Sequence, residues 1–391
     1  MQVAPITLLI SNNGESPFYV YDEQLILDNI RRFKSIPYKN TRIRFASMAN
    51  DNPVLLKLLK RAEVGLFVNS RKHLKLGFEC GFEAQDMIFA STGVSASTMQ
   101  LLARLGVHMN IDSPDQLALY GRLNPGAKVG IRLNVDEKSK NNISIGMESR
   151  IGILESELTE VFAIADEFRL RLTGTHTYLG TNVTQIADLL SGVDKTLALS
   201  EHFKNLEFVD VGGGFPIEND RFDFDSYKAL ISDKLERYSR KRGTNIQLVL
   251  EPGRVMFGNT ASFYVQVTDV KKRPDRYLVC VNASASLIPR AMFYEDYNPI
   301  SKVSDAAEDA PFDKTVDVVG NTTYSRDYIA RNIELPKVKR GDWLRLHNAG
   351  SYCYSMVTRF LGQELPTEYL VGADGKIQTI RNGEVYFGEP V

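Results

Sequence analysis

Two short segments hold the residue types best suited to chemistry. Asp210-Val-Gly-Gly-Gly-Phe-Pro216 closes one apolar run, and Glu251-Pro-Gly-Arg254 closes the next. Three consecutive glycines (Gly212, Gly213, Gly214) at a strand end leave backbone N–H groups bare, so an anionic oxygen can approach closely. Arg254, after Gly253, adds a planar, permanently charged fork suited to phosphate. Two neighbouring strand ends that both favour a phosphate point to a phosphorylated cofactor. Plainer readings exist. One glycine is usually a tight turn, and Glu251 alone would be an exposed strand-end carboxylate. A tight turn does not explain three glycines beside a phosphate-type arginine.

The elements that must hold these loops follow from the hydrophobic pattern. Apolar or β-branched runs recur at Ile43–Met48, Gly65–Val68, Met87–Ala90, His108–Ile111, Val129–Leu133, Leu172–Leu179, Leu206–Val211 and Ile246–Leu250. Stretches with helical spacing lie between them. Pro53 can open a helix at its first turn, and Val54, Leu55, Leu58 and Leu59 then give it one apolar face. Ser149–Phe168, Val183–Phe203 and Phe224–Arg242 have the same spacing. Strand–helix alternation predicts parallel strands with crossover helices, and eight units predict a (β/α)8 barrel of TIM type. The expected barrel covers residues 26–258. By this count the glycine loop follows strand seven and Glu251–Arg254 follows strand eight, where such barrels often bind phosphate.

Beyond residue 258 the pattern changes to strands separated by turns: Thr260–Lys271, Tyr277–Val281, Thr315–Val319, Trp343–His347 and Lys376–Arg381. Residues 259–391, joined by 1–25 with the strand-like Phe18-Tyr-Val-Tyr21, are expected to form a C-terminal β-rich domain. The fold class is α/β plus β. The Asp-, Glu- and Ala-rich loop Ser301–Phe312 is expected to be mobile or to cover something.

Bulk properties bound the function. The chain has 391 residues, 43% hydrophobic and 24% charged, with a formal net charge of −1. That balance excludes a general nucleic-acid surface, which needs a basic excess. Cys80, Cys280 and Cys353 are far apart and lack CxxC spacing, so a reducing compartment is the default and a structural zinc site is not expected. No two of the five histidines have ligand spacing, so no metal is expected. No apolar run is long enough to span a membrane, and the short stretch Ile6–Ile10 has no basic region before it. A cytoplasmic protein is expected.

The motif order carries a resemblance. Ser16-Pro-Phe-Tyr-Val-Tyr-Asp22, Phe45-Ala-Ser-Met-Ala-Asn50, Asp210-Val-Gly-Gly-Gly214, Glu251-Pro-Gly-Arg254, Glu334-Leu-Pro336 and Ala349-Gly-Ser-Tyr352 occur in sequence across nearly the whole chain. The chain resembles the pyridoxal-phosphate (PLP) decarboxylases of the alanine-racemase fold, the diaminopimelate and ornithine decarboxylase group. The resemblance implies that Gly212, Gly213 and Gly214 wrap the cofactor phosphate with Arg254 beside them. It implies that Thr181 supplies a hydroxyl and that Tyr352 completes the cup. Glu251 matches the carboxylate that pairs with the pyridine nitrogen and keeps the ring able to accept electrons. The family forms head-to-tail homodimers with sites at the interface, so the segment Thr323–Asp327 would act in trans.

The departures from the pattern are as informative. Met48 occupies the position of the Schiff-base lysine, and a thioether cannot form an imine. Tyr178 replaces the stacking histidine. Thr323, in Thr323-Tyr-Ser-Arg-Asp327, stands at the position of a cysteine donated across the dimer. Phe67-Val-Asn-Ser70 followed by His73 replaces a family Asp-Val-x-Ser element and its Gly-Glu. Three accounts follow. The chain is a decarboxylase-like enzyme that binds PLP non-covalently and acts on an amino acid by carbanion chemistry without the usual internal lysine imine. Alternatively it is a catalytically silent relative that binds PLP or a phosphate ligand, or a regulatory partner subunit. In the third account Met48 was introduced in the laboratory, which the simultaneous changes at Tyr178, Thr323, Phe67 and His73 oppose. His73, Tyr178 and Tyr352 are the candidate bases, although a lone histidine near a barrel is more often structural. In a stretch that loosely matches the family's substrate contacts, Arg290 would meet a distal carboxylate and Tyr294 would lie beside it. The alternative for Arg290 is a solvated side chain. Asp327 would meet an amine.

Overall fold

The computed structural model describes residues 3–135, 146, 149–217, 222–303 and 310–386. Residues 304–309 of the Ser301–Phe312 loop lie outside the described residues. The chain divides into two compact units, Ile30–Val255 and Met1–Asn29 with Met256–Val391. Strand β1 (Phe18–Asp22) belongs to the latter.

The Ile30–Val255 unit is a closed barrel of eight parallel strands. They are β2 (Thr41–Ala46), β3 (Gly65–Val68), β4 (Met87–Ala90), β5 (His108–Ile111), β6 (Lys128–Arg132), β7 (Arg171–His176), β8 (Phe208–Asp210) and β9 (Gln247–Leu250). The barrel closes where β2 pairs with β9. The crossover helices obey their local signals. Pro53–Arg61 is capped by Asn52, whose side chain accepts from Val54 N, and it buries Leu55, Leu56, Leu58 and Leu59. Phe224–Arg242 is capped by Asp223 and ends at Gly243, which has φ +67°.

Two helices are shorter than the apolar spacing predicts. Ser149–Phe168 becomes helical only at Leu158, after a 3-10 turn at Glu155–Glu157. Its first residues return along β6 instead: Ile153 N donates to Arg132 O at 2.8 Å and Asn134 N donates to Ile153 O at 2.8 Å. Val183–Phe203 is helical only over Ile186–Ser200, because Val183 N is already bonded to Gly214 O at 2.9 Å.

The other unit is a nine-stranded sheet in the order β14-β13-β11-β10-β1-β16-β17, with β12 and β15 off this path. Its further strands are β10 (Ala261–Lys272), β11 (Tyr277–Val281), β12 (Ile300–Lys302), β13 (Val316–Val319), β14 (Tyr328–Ile333), β15 (Trp343–Leu346), β16 (Thr367–Val371) and β17 (Ile377–Arg381). The N-terminal stretch forms a helix, Val3–Asn13. Ile6 and Leu9 pack into a core of Phe18, Val20, Tyr264, Trp343 and Val371. Among the described residues no helix is long and apolar enough to cross a membrane.

Candidate active site

The period-two alternation of a strand decides what enters the barrel. Part of the interior is apolar. Ala46, Phe67, Ile88, Ala90, Phe208 and Val249 form one buried cluster, and Met48 packs against it. Gly174 makes room for a ring: a Cβ there would lie 2.0 Å from Phe208 Cζ.

The barrel also carries buried polar side chains. Arg132, His176 and Asp210 sit side by side in register on β6, β7 and β8, and Glu251 follows the end of β9. His176 Nε2 lies 3.2 Å from Glu251 Oε2. One ligand-type atom from each of His176, Asp210 and Glu251 falls within 4.8 Å of the others. Gly212 N donates to Asp210 Oδ1 at 2.9 Å. The remaining atoms His176 Nδ1, Asp210 Oδ2 and Glu251 Oε1 are buried without a hydrogen-bond partner.

Burial sets the charge states of this layer. Desolvation pushes the Glu251 carboxyl up to about 7, although Asp210, Arg132 and Arg44 pull it down. Asp210 is raised well above the carboxylate range by burial and then by the Glu251 charge. His176 is lowered to about 4 by burial, so it is neutral at pH 7. Arg132 is lowered by desolvation and favoured by Asp112, Glu251, Tyr178 and Asp210. Asp112 is itself held by Thr92 Oγ1 at 2.7 Å and Gly152 N at 3.1 Å.

The glycine loop is laced onto this layer. Glu251 N donates to Gly212 O at 2.8 Å, Thr177 N to Asp210 O at 2.9 Å, and Val183 N to Gly214 O at 2.9 Å. Gly212 and Gly214 take φ of +70° and +93°. A Cβ on Gly213 would lie 2.5 Å from Glu251 O, so no larger residue fits between these loops. Among the described residues Gly213 N and Gly214 N donate to no protein acceptor. Arg254 opens a short helical turn directly after the Glu251 loop. Thr181 is exposed, and its hydroxyl bonds the Tyr178 hydroxyl.

The other expected residues lie in different settings. His73 stands in the first turn of the helix Arg71–Glu79, where Ser70 Oγ accepts from its N–H and its Nδ1 lies 2.9 Å from Asn69 Oδ1. Burial lowers its pKa, with Asp51 acting against and Lys72 with that shift. Tyr352 adopts φ +54° after β15. Thr323 is exposed between β13 and β14. Asp327 is buried and accepts from Ser284 Oγ, Ala285 N, and both Thr322 N and Oγ1. Those four donors saturate its carboxylate, so the structure corrects the amine-binding expectation. Arg290 is buried rather than solvated. Its guanidinium bonds Asp296 through Nε and Nη2, and Asn348 O through Nη1. Tyr294 is 61% exposed.

Sequence reasoning missed Arg132, His176 and Asp112, and it gave Asp210 no role beyond opening its motif. The available signal was a charged or imidazole side chain at an inward position of an otherwise apolar strand, as in Val-Gly-Ile-Arg132 and Leu-Thr-Gly-Thr-His176.

A parallel barrel with a glycine cup at its mouth and a buried carboxylate beside it defines a scaffold for a phosphorylated cofactor. Residues 24–258 match the family described as "Pyridoxal-dependent decarboxylase, pyridoxal binding domain", and the chain belongs to that family, whose cofactor is PLP. It is similar to the diaminopimelate decarboxylase of Methanothermobacter thermautotrophicus, 27% identical over 391 residues and covering 95% of this chain and 90% of that protein. The diaminopimelate decarboxylase of Escherichia coli K12 is 27% identical over 389 residues, covering 93% and 90%. A crystal structure of a diaminopimelate decarboxylase superposes with a TM-score of 0.86 at 25% identity, covering 94% of this chain and 91% of that one. The Helicobacter pylori enzyme complexed with L-lysine shares the fold, with a TM-score of 0.86 at 23% identity and 97% of each chain covered.

Proposed function

We propose that the protein binds PLP non-covalently and acts on an amino acid by decarboxylase-like carbanion chemistry without a Schiff-base lysine. Glu251 carries this reading. A generic phosphate site has no use for a buried carboxylate, which is costly to desolvate. Here one is tied to the glycine loop through its own N–H and keeps a buried oxygen, Oε1, without a partner. The residues fit the cofactor: unbonded amides at Gly213 and Gly214 suit a phosphate, and the orphaned Glu251 oxygen suits a ring N–H. Arg254 and the Thr181 hydroxyl would add to the phosphate site, and Tyr352 would do so by resemblance. Bound PLP supplies the electron sink for a carbanion.

This chain's own residues set the remaining terms. Glu251 holds negative charge at the ring-nitrogen position. The apolar cluster against which Met48 packs offers no amine. His73 is neutral at pH 7, so its Nε2 can take a proton, and the Tyr178 hydroxyl can hand one along to Thr181. A substrate with a distal carboxylate would have to open the Arg290–Asp296 pair to use Arg290. By resemblance the active form is a homodimer with Thr323 supplied in trans, and cysteine usage supports a cytoplasmic location.

The alternative is a silent relative that keeps the cup for PLP or another phosphate, or serves as a regulatory partner subunit. It draws support from the paired changes at the apolar cluster, where Met48 and Phe67 stand in place of the family's lysine and aspartate. Borohydride treatment of protein equilibrated with PLP separates the readings. The expected result is bound PLP, no lysine adduct, and slow amino-acid turnover. Absence of binding at about millimolar PLP, roughly 4 kcal/mol of affinity, would overturn the PLP reading. Binding without turnover of any amino acid would leave the silent relative.

A further inference from the structure

We propose that Asp210 is a positioning residue that links the glycine cup to Glu251, holding the loop through one carboxyl oxygen and donating a proton to Glu251 from the other. The role at a ring nitrogen rests on the PLP reading above; the shared proton does not.

One half is a bond already made, and the other rests on two buried carboxyls that each bring an oxygen within 4.8 Å of the other. Asp210 Oδ1 accepts from Gly212 N at 2.9 Å, so the first glycine of the cup is bonded to this side chain. Asp210 Oδ2 and Glu251 Oε1 are both buried and both lack a partner. Two buried acceptors without donors are costly. A single proton between the carboxyls turns one acceptor into a donor and satisfies both groups. His176 cannot supply that proton to Oδ2 from the same atom, because its Nε2 is the nitrogen 3.2 Å from Glu251 Oε2. Like charges this close in a dry site do not both ionise.

The charged and titratable groups facing the pair come from each neighbouring strand. Arg44 on β2 and Arg132 on β6 favour negative charge on both carboxyls. His176 on β7 is neutral at pH 7, and Asp112 beyond β5 faces Arg132. Two cations therefore oppose Asp112 and one shared negative charge. A second negative charge on the pair would leave that balance unfilled. His176 Nε2, 3.2 Å from Glu251 Oε2, can donate to Glu251 and so favours the charge there, which leaves the proton on Asp210; burial raises both carboxyls. Each carboxylate oxygen has two lone pairs, so Glu251 can accept from Asp210 and His176 and still accept from a ring N–H.

Infrared spectroscopy of the cofactor-free full chain tests this without any turnover. The expected result is a protonated-carboxyl carbonyl band that persists well above pH 7, where Glu251, pushed up to about 7, has lost its proton. It should shift when aspartate carries 13C at its side-chain carboxyl and stay in place when glutamate does. Asp210→Asn should remove the band, and Glu251→Gln should retain it. If Asp210→Asn fails to fold, the isotope labels and Glu251→Gln carry the test on folded protein. A missing band above the Glu251 titration, or one there that follows the glutamate label, overturns the assignment. Failure of PLP to bind with the band intact would remove the proposed function but leave the shared proton. PLP binding without the band would do the reverse.

Discussion

Met48 packs against a cluster of Ala46, Phe67, Ile88, Ala90, Phe208 and Val249. An amine placed there has no carboxylate at position 67 to hold its proton, and desolvation lowers its pKa, which leaves it nucleophilic. Met48→Lys mixed with PLP should therefore produce a visible imine band absent from the unsubstituted chain. Borohydride should then fix the adduct at residue 48, as read by mass spectrometry of peptides. No band would mean that the cup does not seat a pyridoxal ring over this position. Glu251 makes a different demand. Glu251→Gln replaces a charge-assisted bond by a neutral one, a loss of about 1.5–3 kcal/mol, so PLP affinity by equilibrium dialysis should fall about tenfold to a hundredfold.

The same two side chains that flank the cup give the apo protein a pH signature. Burial pushes the Glu251 carboxyl up to about 7 in the fold, against 4.5 for a free glutamate, because it disfavours the charge. Its stabilising contribution is complete below pH 4.5 and is lost as pH rises through 7. His176, lowered to about 4 from 6.5, acts in the opposite sense: its contribution is present above pH 6.5 and lost as pH falls through 4. Above pH 6.5 the His176 term is constant while the Glu251 term still changes, so urea midpoints of cofactor-free protein should fall as pH rises through 7. Glu251→Gln should flatten that fall. Equal slopes in the two proteins would rule out Glu251 as its source.

At the scale of elements, the site depends on loops that close against one another. A Cβ on Gly213 would meet Glu251 O at 2.5 Å and Glu251 C at 3.3 Å, both backbone atoms that cannot swing aside. Gly213→Ala should therefore cost about 1–3 kcal/mol through forced loop displacement. Phosphate is expected to raise the melting temperature of the unsubstituted chain, and Gly213→Ala should remove that rise. A variant still stabilised by phosphate would show that the cup lies elsewhere. Much of this architecture was legible in the sequence. Gly65–Val68, Met87–Ala90, His108–Ile111 and Phe224–Arg242 have the predicted bounds because their apolar periods are uninterrupted and their caps are local. What periodicity could not see was set by distant partners. Val183 looked helical but is bonded to Gly214, and β16 was missed because Glu368 is buried on it, held by Tyr21 and Arg381. The polar layer was hidden for the same reason: Arg132 and His176 become neighbours only when the barrel closes.

At the scale of the whole molecule, the question is what covers the aromatic side chains that the β-rich unit leaves in solvent. Phe293 is 59% exposed, Tyr294 61% and Phe360 52%. Phe360 also stacks edge-on against Tyr324 at 5.4 Å, in the segment that the family resemblance places across a dimer interface. Exposed aromatic groups of this kind mark contact surfaces, and aromatic anchors carry most of the energy in such contacts. If a second copy covers them, Phe360→Asp together with Tyr294→Asp removes two anchors worth about 2 kcal/mol each, and dimer affinity should drop about a thousandfold. Sedimentation at micromolar concentration should then show a monomer. The glycine cup and Glu251 lie in the Ile30–Val255 unit, so the monomer should still bind PLP. Amino-acid turnover should vanish, because the Thr323 segment would no longer reach its partner. A monomer that keeps full turnover would place every working residue in one chain and would end the case for action in trans.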